Sequence, residues 1–152
     1  MHFFTLIKEG DIQSISNQLK EDATLVNSKD QRQFPALVMA AYMGHPQIVK
    51  LLLEYGADIN ARDAAGNTTL MGVSFKGNVD IVSLLLEHGA KIDLVNHNGT
   101  TALIFAAMFD QWEVARILLD NGAQKMIKDS SGMTALDYAR QKGFTRLINL
   151  LT

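Results

Sequence analysis

The chain of 152 residues has no cysteine. That excludes disulfides and thiolate metal sites, and it fits a reducing compartment. It also has no run of eighteen apolar residues, so no segment reads as a membrane-spanning helix. The apolar start Met1-His2-Phe3-Phe4-Thr5-Leu6-Ile7 meets Lys8-Glu9 at once and has no basic flank. It is too short for a secretory signal and reads as the first helix of the mature fold. An excess of charge of one sign is missing too. Fourteen Lys and Arg stand against sixteen Asp and Glu, for a net charge of −2 and a pI near 6.0. That balance argues against a surface built for nucleic acid. No Gly-x-Ser-x-Gly elbow, Gly-x-Gly-x-x-Gly loop or phosphate-binding Gly-Lys-Ser/Thr word is present. His2, His45, His88 and His97 include no i, i+4 pair for a metal and no dyad with an acid. Asp30, Asp63 and Asp129 read as turn acceptors. The expectation is a non-enzyme without cofactor or metal.

What is present is a period. Leu51-Leu52-Leu53-Glu54-Tyr55-Gly56-Ala57-Asp58-Ile59 returns as Leu84-Leu85-Leu86-Glu87-His88-Gly89-Ala90-Lys91-Ile92, then as Ile117-Leu118-Leu119-Asp120-Asn121-Gly122-Ala123. Each step is 33 residues. A second word keeps the same step: Pro35-Ala36-Leu37, Thr68-Thr69-Leu70, Thr101-Ala102-Leu103 and Thr134-Ala135-Leu136. Gly66, Gly99 and Gly132 share the register. Several words in phase over four copies establish an internal repeat.

Asp63-Ala64-Ala65-Gly66 reads as a tight turn, with Asp accepting local backbone bonds and Gly supplying positive φ. Thr68 suits a helix N-cap. Leu70, Val73 and Ser74, with copies Leu37, Ala40, Ala41 and Leu103, Ala106, Ala107, mark one closely packed helix face. Gly77, like Gly44 and Gly143, is placed to close that helix in the left-handed conformation, with Asp110 substituting in the third copy. A second helix carries Ile81, Val82, Leu84, Leu85 and Leu86 and ends at Gly89. Such a unit of a turn and two antiparallel helices leaves an apolar face that only stacking buries, which makes a solenoid.

These words resemble the ankyrin family. Gly44-His45 matches its Gly-His word, and Gly56-Ala57-Asp58-Ile59-Asn60 matches its Leu-Leu-x-x-Gly-Ala-Asp word. The resemblance is strong over residues 28–152 and weak over 1–27. Departures are the missing Pro of the Thr-Pro-Leu-His word in repeats two to four, Val38, Met71, Ile104 and Asp137 in place of its His, and Gln33 in place of the tip glycine. The resemblance implies an all-α repeat fold: an ankyrin α-solenoid of about five stacked helix pairs with short turn or β-hairpin tips. One domain, 1–152, is expected. It divides into a degenerate N-terminal cap (1–27), full repeats at 28–60, 61–93 and 94–126, and a truncated C-terminal cap (127–152). Arg140, Lys142, Arg146 and Asn149 are suited to a polar outer face on the last unit. The chain reads as complete, with no linker.

Ankyrin proteins usually meet partners on the concave surface. Here the residues before each first-helix glycine are Tyr42-Met43, Phe75-Lys76, Met108-Phe109 and Gln141-Lys142. They fall off the Leu70/Val73/Ser74 face, and three consecutive repeats place Tyr, Phe or Met there. An exposed apolar stripe of this kind marks an interaction site. The alternative is that these side chains fold back and extend the core. Trp112, at the start of a second helix, reads as core. Lys29, Arg62, Lys128, Arg32 and Lys76 give the groove a basic edge that favours a partner with an acidic rim; scattered solvated charge is the other reading.

The expected contact set is therefore Tyr42, Met43, Phe75, Lys76, Met108 and Phe109, with the tip residues Arg32, Arg62, Asn67, His97 and Asn98. The expected role is a monomeric cytoplasmic adaptor or inhibitor of a protein partner, of the size of an immunity-type protein. The alternative is a scaffold that self-associates or organises a larger complex.

Overall fold

A computed structural model describes residues 2–152. Among the described residues it holds ten α-helices and no strand. The first helices of the five pairs are α1 (Phe3–Glu9), α3 (Ala36–Tyr42), α5 (Thr69–Lys76), α7 (Ala102–Met108) and α9 (Ala135–Lys142). The second helices are α2 (Ile12–Glu21), α4 (Pro46–Glu54), α6 (Val79–Glu87), α8 (Trp112–Asp120) and α10 (Thr145–Leu151). A 3₁₀ helix, Ala23–Asn27, occupies the connection after α2, where the first unit departs from the later ones. Tips close as turns, with single antiparallel bridges joining Lys29 to Pro35 and Arg62 to Thr68 in place of hairpins.

Helices of seven to ten residues are too short to persist alone. Caps and packing hold them. Thr68, Thr101 and Thr134 each accept the N–H of the third helical residue on Oγ1, at 3.4, 3.1 and 3.2 Å. The Asp137 carboxylate accepts in return from the Thr134 N–H at 2.9 Å, completing a capping box. Pro35, the first copy, has no side-chain cap bond. Gly77 ends α5 at φ 80°, and Asp110 takes φ 56° at the same register.

First helices pack on first helices along the stack, and second helices on second helices. The close approach is made by small buried residues in register: Ala40, Val73, Ala106 and Ala139, beside Ala41, Ser74 and Ala107. Leu37, Leu70 and Leu103 fill the layer between them. The core runs unbroken from Phe3 to Leu151. Repeat two differs in that Thr69 and Ser74 bring hydroxyls into this layer, and both oxygens are buried without a hydrogen-bond partner.

Two rows of bonds tie neighbouring units. Along the connections, Asn27 Oδ1 accepts from Asp58 N, Asn60 Oδ1 from Lys91 N and Asp93 Oδ1 from Gln124 N, at 2.8, 3.0 and 3.1 Å. Along the tips, Lys29 Nζ donates to Arg62 O, Arg62 Nη1 to Val95 O, and Asn96 Nδ2 to Asn67 Oδ1. The Ser130 N–H completes the row by donating to Asn98 O.

Candidate functional site

The first helices and the tips enclose a groove of about 980 Å³ on the N-terminal half of the stack. Its floor is apolar: Phe4 from α1, Val38, Met39 and Tyr42 from α3, Met71, Gly72 and Phe75 from α5, and Phe105 from α7. Lys8, Lys29 and Arg32 line its edge, with Asp30, Asp63 and Asn67 from the tips.

The stripe before the helix-ending turns divides. Tyr42, Met43 and Phe109 are 43%, 44% and 42% exposed, whereas Phe75 and Met108 are half-buried. Met108 packs against the core. Phe75 stands edge-on to Phe109, with centroids 4.4 Å apart, and edge-on to Phe105 at 6.5 Å. Such pairs add to area burial and hold the rings in one orientation. Lys76 Nζ lies 4.4 Å from the Tyr42 ring centroid, and Lys142 Nζ lies 5.9 Å from that of Phe109. The stripe is thus an aromatic row with an ammonium over each end.

The tips are differently committed. Arg32 is exposed. The half-buried Arg62 guanidinium donates to Gly66 O and Val95 O, at 2.9 and 2.6 Å, so it bridges two tips. The Asn67 amide oxygen accepts from Asn96 Nδ2. His97 and Asn98 are exposed at the third tip, where a Cβ on Gly66 would strike the His97 ring. Tyr42, Met43, Phe75, Arg32 and Asn67 line the groove together, while Lys76, Met108, Phe109, Arg62, His97 and Asn98 do not line it.

Charge is uneven around it. Asp30 Oδ1 accepts the N–H groups of Arg32 and Phe34, and Asp63 Oδ1 those of Ala65 and Asn67, all within 3.0 Å. Both acids are therefore used by their own turns. The one ion pair among the described residues joins Arg116 to Asp120 on α8, so Lys8, Lys29, Arg32 and Lys76 carry charge that no ion pair offsets.

Elsewhere, His45 Nε2 lies 3.3 Å from Lys8 O and its ring packs beneath Gly10. Gln111, its counterpart two repeats on, donates to Phe75 O at 3.0 Å. His88 Nδ1 lies 2.8 Å from Leu84 O. Trp112 is half-buried against the core and faced by the Arg146 and Arg116 guanidiniums at 4.0 and 5.7 Å. At the fourth tip, desolvation pushes the Asp129 carboxyl up, but bonds from the Tyr138 hydroxyl and the Met133 and Ser131 N–H groups outweigh it. The net effect holds Asp129 below the usual aspartate range. No cluster of three His, Cys, Asp or Glu able to hold a metal occurs among the described residues. No helix among them is long and apolar enough to cross a membrane.

The chain matches the family described as ankyrin repeats (3 copies) over residues 3–96 and 70–152. A 50-residue segment is 42% identical to the NAD-capped RNA hydrolase NUDT12 of Homo sapiens and of Macaca fascicularis, over 33% of this chain and 11% of theirs. A 53-residue segment is 36% identical to the human DNA-binding protein RFXANK, over 35% of this chain and 20% of that protein. The matched segments span between a tenth and a fifth of those relatives' lengths. Ankyrin repeats form protein–protein interaction modules, and their fold is in general non-catalytic. The chain belongs to the ankyrin-repeat family.

Proposed function

We propose that this ankyrin-repeat chain binds a protein partner through its concave face, as an adaptor or inhibitor that tethers or occludes that partner. The observation that carries this reading is the aromatic row. Tyr42 and Met43 of the first full repeat and Phe109 of the third face solvent, beside half-buried Phe75 and Met108 and cations without an ion pair. Solvent-facing aromatic and Met side chains in such a row are what interface cores are made of. Arg32, His97 and Asn98 extend the contact along the tips, and Arg62 and Asn67 hold those tips in place. The partner brings an acidic rim, and the protein works as a monomer in the cytoplasm.

The test is the double variant Phe75→Asp/Phe109→Asp. Circular dichroism is expected to show the wild-type helix content, and affinity purification from the native host is expected to lose the partner that wild type retains. A folded double variant that keeps every partner removes the proposal. Light scattering on the same samples reads the oligomeric state, and concentration-dependent growth favours the self-assembling scaffold instead.

A further inference from the structure

We propose that the groove contains a socket at Gly72 that takes one bulky apolar side chain of the partner, carried on an acidic segment. This rests on the concave face being the partner surface. The register states the anomaly. Positions 39, 72, 105 and 138 are equivalent and hold Met39, Gly72, Phe105 and Tyr138. Three repeats put a large side chain there, and repeat two puts none.

The backbone gives no reason for the glycine. Gly72 lies inside α5 without the positive φ that favours this residue. A Cβ there would meet one atom within 4 Å, Tyr42 Cδ1, at 4.0 Å. Glycine inside a helix costs about 0.5–1 kcal/mol relative to alanine. The fold thus gives up stability at a position where a Cβ fits, and a hollow results. Met39, Tyr42, Met71, Phe75 and Phe105 line the same groove. An apolar recess ringed by larger side chains is the setting in which a single anchor residue dominates binding.

Charge defines what carries the anchor. Lys8, Lys29 and Arg32 line the groove against Asp30 and Asp63, and Lys76 lies over Tyr42, so the cations outnumber the acids and none of them is in an ion pair. Carboxylates flanking the anchor complement this edge, and a basic segment is repelled by it.

A phage library of random peptides, panned on the full chain, tests the socket. The enriched peptides are expected to carry Leu, Met, Phe or Trp beside Asp or Glu. They are expected to lose about tenfold or more in affinity for Gly72→Phe, which reproduces Phe105 at that register. Gly72→Ala should melt above wild type and bind more weakly by a smaller factor. If Gly72→Phe fails to fold, Gly72→Met, matched to Met39, makes the same comparison. Peptides that lose affinity for Phe75→Asp/Phe109→Asp yet keep it for the filled socket overturn the socket and leave the concave-face reading standing. Peptides indifferent to both overturn both, and basic peptides, peptides without an apolar residue or an empty panning overturn the socket.

Discussion

Gln33 and Asp110 hold left-handed backbone, at φ 68° and 56°, in registers where the other full copies use glycine. Left-handed conformation costs a residue with a Cβ about 1–2 kcal/mol, partly offset because glycine loses more entropy on folding. Neither side chain makes a hydrogen bond that repays this. Gln33→Gly and Asp110→Gly are each expected to raise unfolding free energy by about 0.5–1 kcal/mol in urea titration. Unchanged or lowered midpoints contradict the strain. Both positions were legible as gaps in a glycine register, and so were the threonine caps. Gly72 was not, because it belongs to none of the repeated words. Reading position 72 against 39, 105 and 138 exposes it. Arg62 reads from sequence as a free basic tip, but the two carbonyls it serves belong to the turns around it, one of them 33 residues on.

At the scale of elements, each helix is short, capped and dependent on its neighbours, and the fourth tip shows how one side chain sets a turn. Asp129 accepts from Ser131 N, Met133 N and the Tyr138 hydroxyl. These bonds need the carboxylate, and its pKa is lowered in the fold. A lowered carboxyl pKa contributes stability above the usual aspartate range and loses it as pH falls through the folded value. Asp11 and Asp137, lowered by bonds from Ser14 and Thr134, act in the same direction. Thermal midpoints of wild type should therefore fall below about pH 4. Asp129→Asn should start lower at neutral pH and lose less on acidification. Parallel curves for the two proteins remove Asp129 from the acid response. Helix positions and caps follow from local pattern, so they were readable in advance. How far Tyr42, Phe75 and Met108 are covered depends on the next repeat's side chains, and Phe75 sinks because Phe105 and Phe109 come up beside it. The first two tips close with single bridges, a difference of one or two backbone bonds that composition does not encode.

The whole molecule is a line of units, each in contact with its neighbours, and its stability is a sum along that line. Ala106 sits fully buried in α7, midway between α5 and α9. A carboxylate there must stay unsolvated or prise the stack apart. Ala106→Asp is expected to turn one cooperative urea transition into two, or to lower the m-value, with exchange protection lost first around α7 and α9. A single transition with an unchanged m-value shows that the line breaks everywhere at once. The period itself, and with it the five-pair stack, was legible from words spaced 33 apart.

The two rows of bonds that run along the connections and the tips clamp neighbouring units at both edges of the stack. Asn27, Asn60 and Asp93 set the spacing on one edge, and Arg62, Asn67 and Asn98 set it on the other. The spacing of the units is therefore held on both edges by the fold itself. A partner then finds a surface whose ordering entropy was spent at folding.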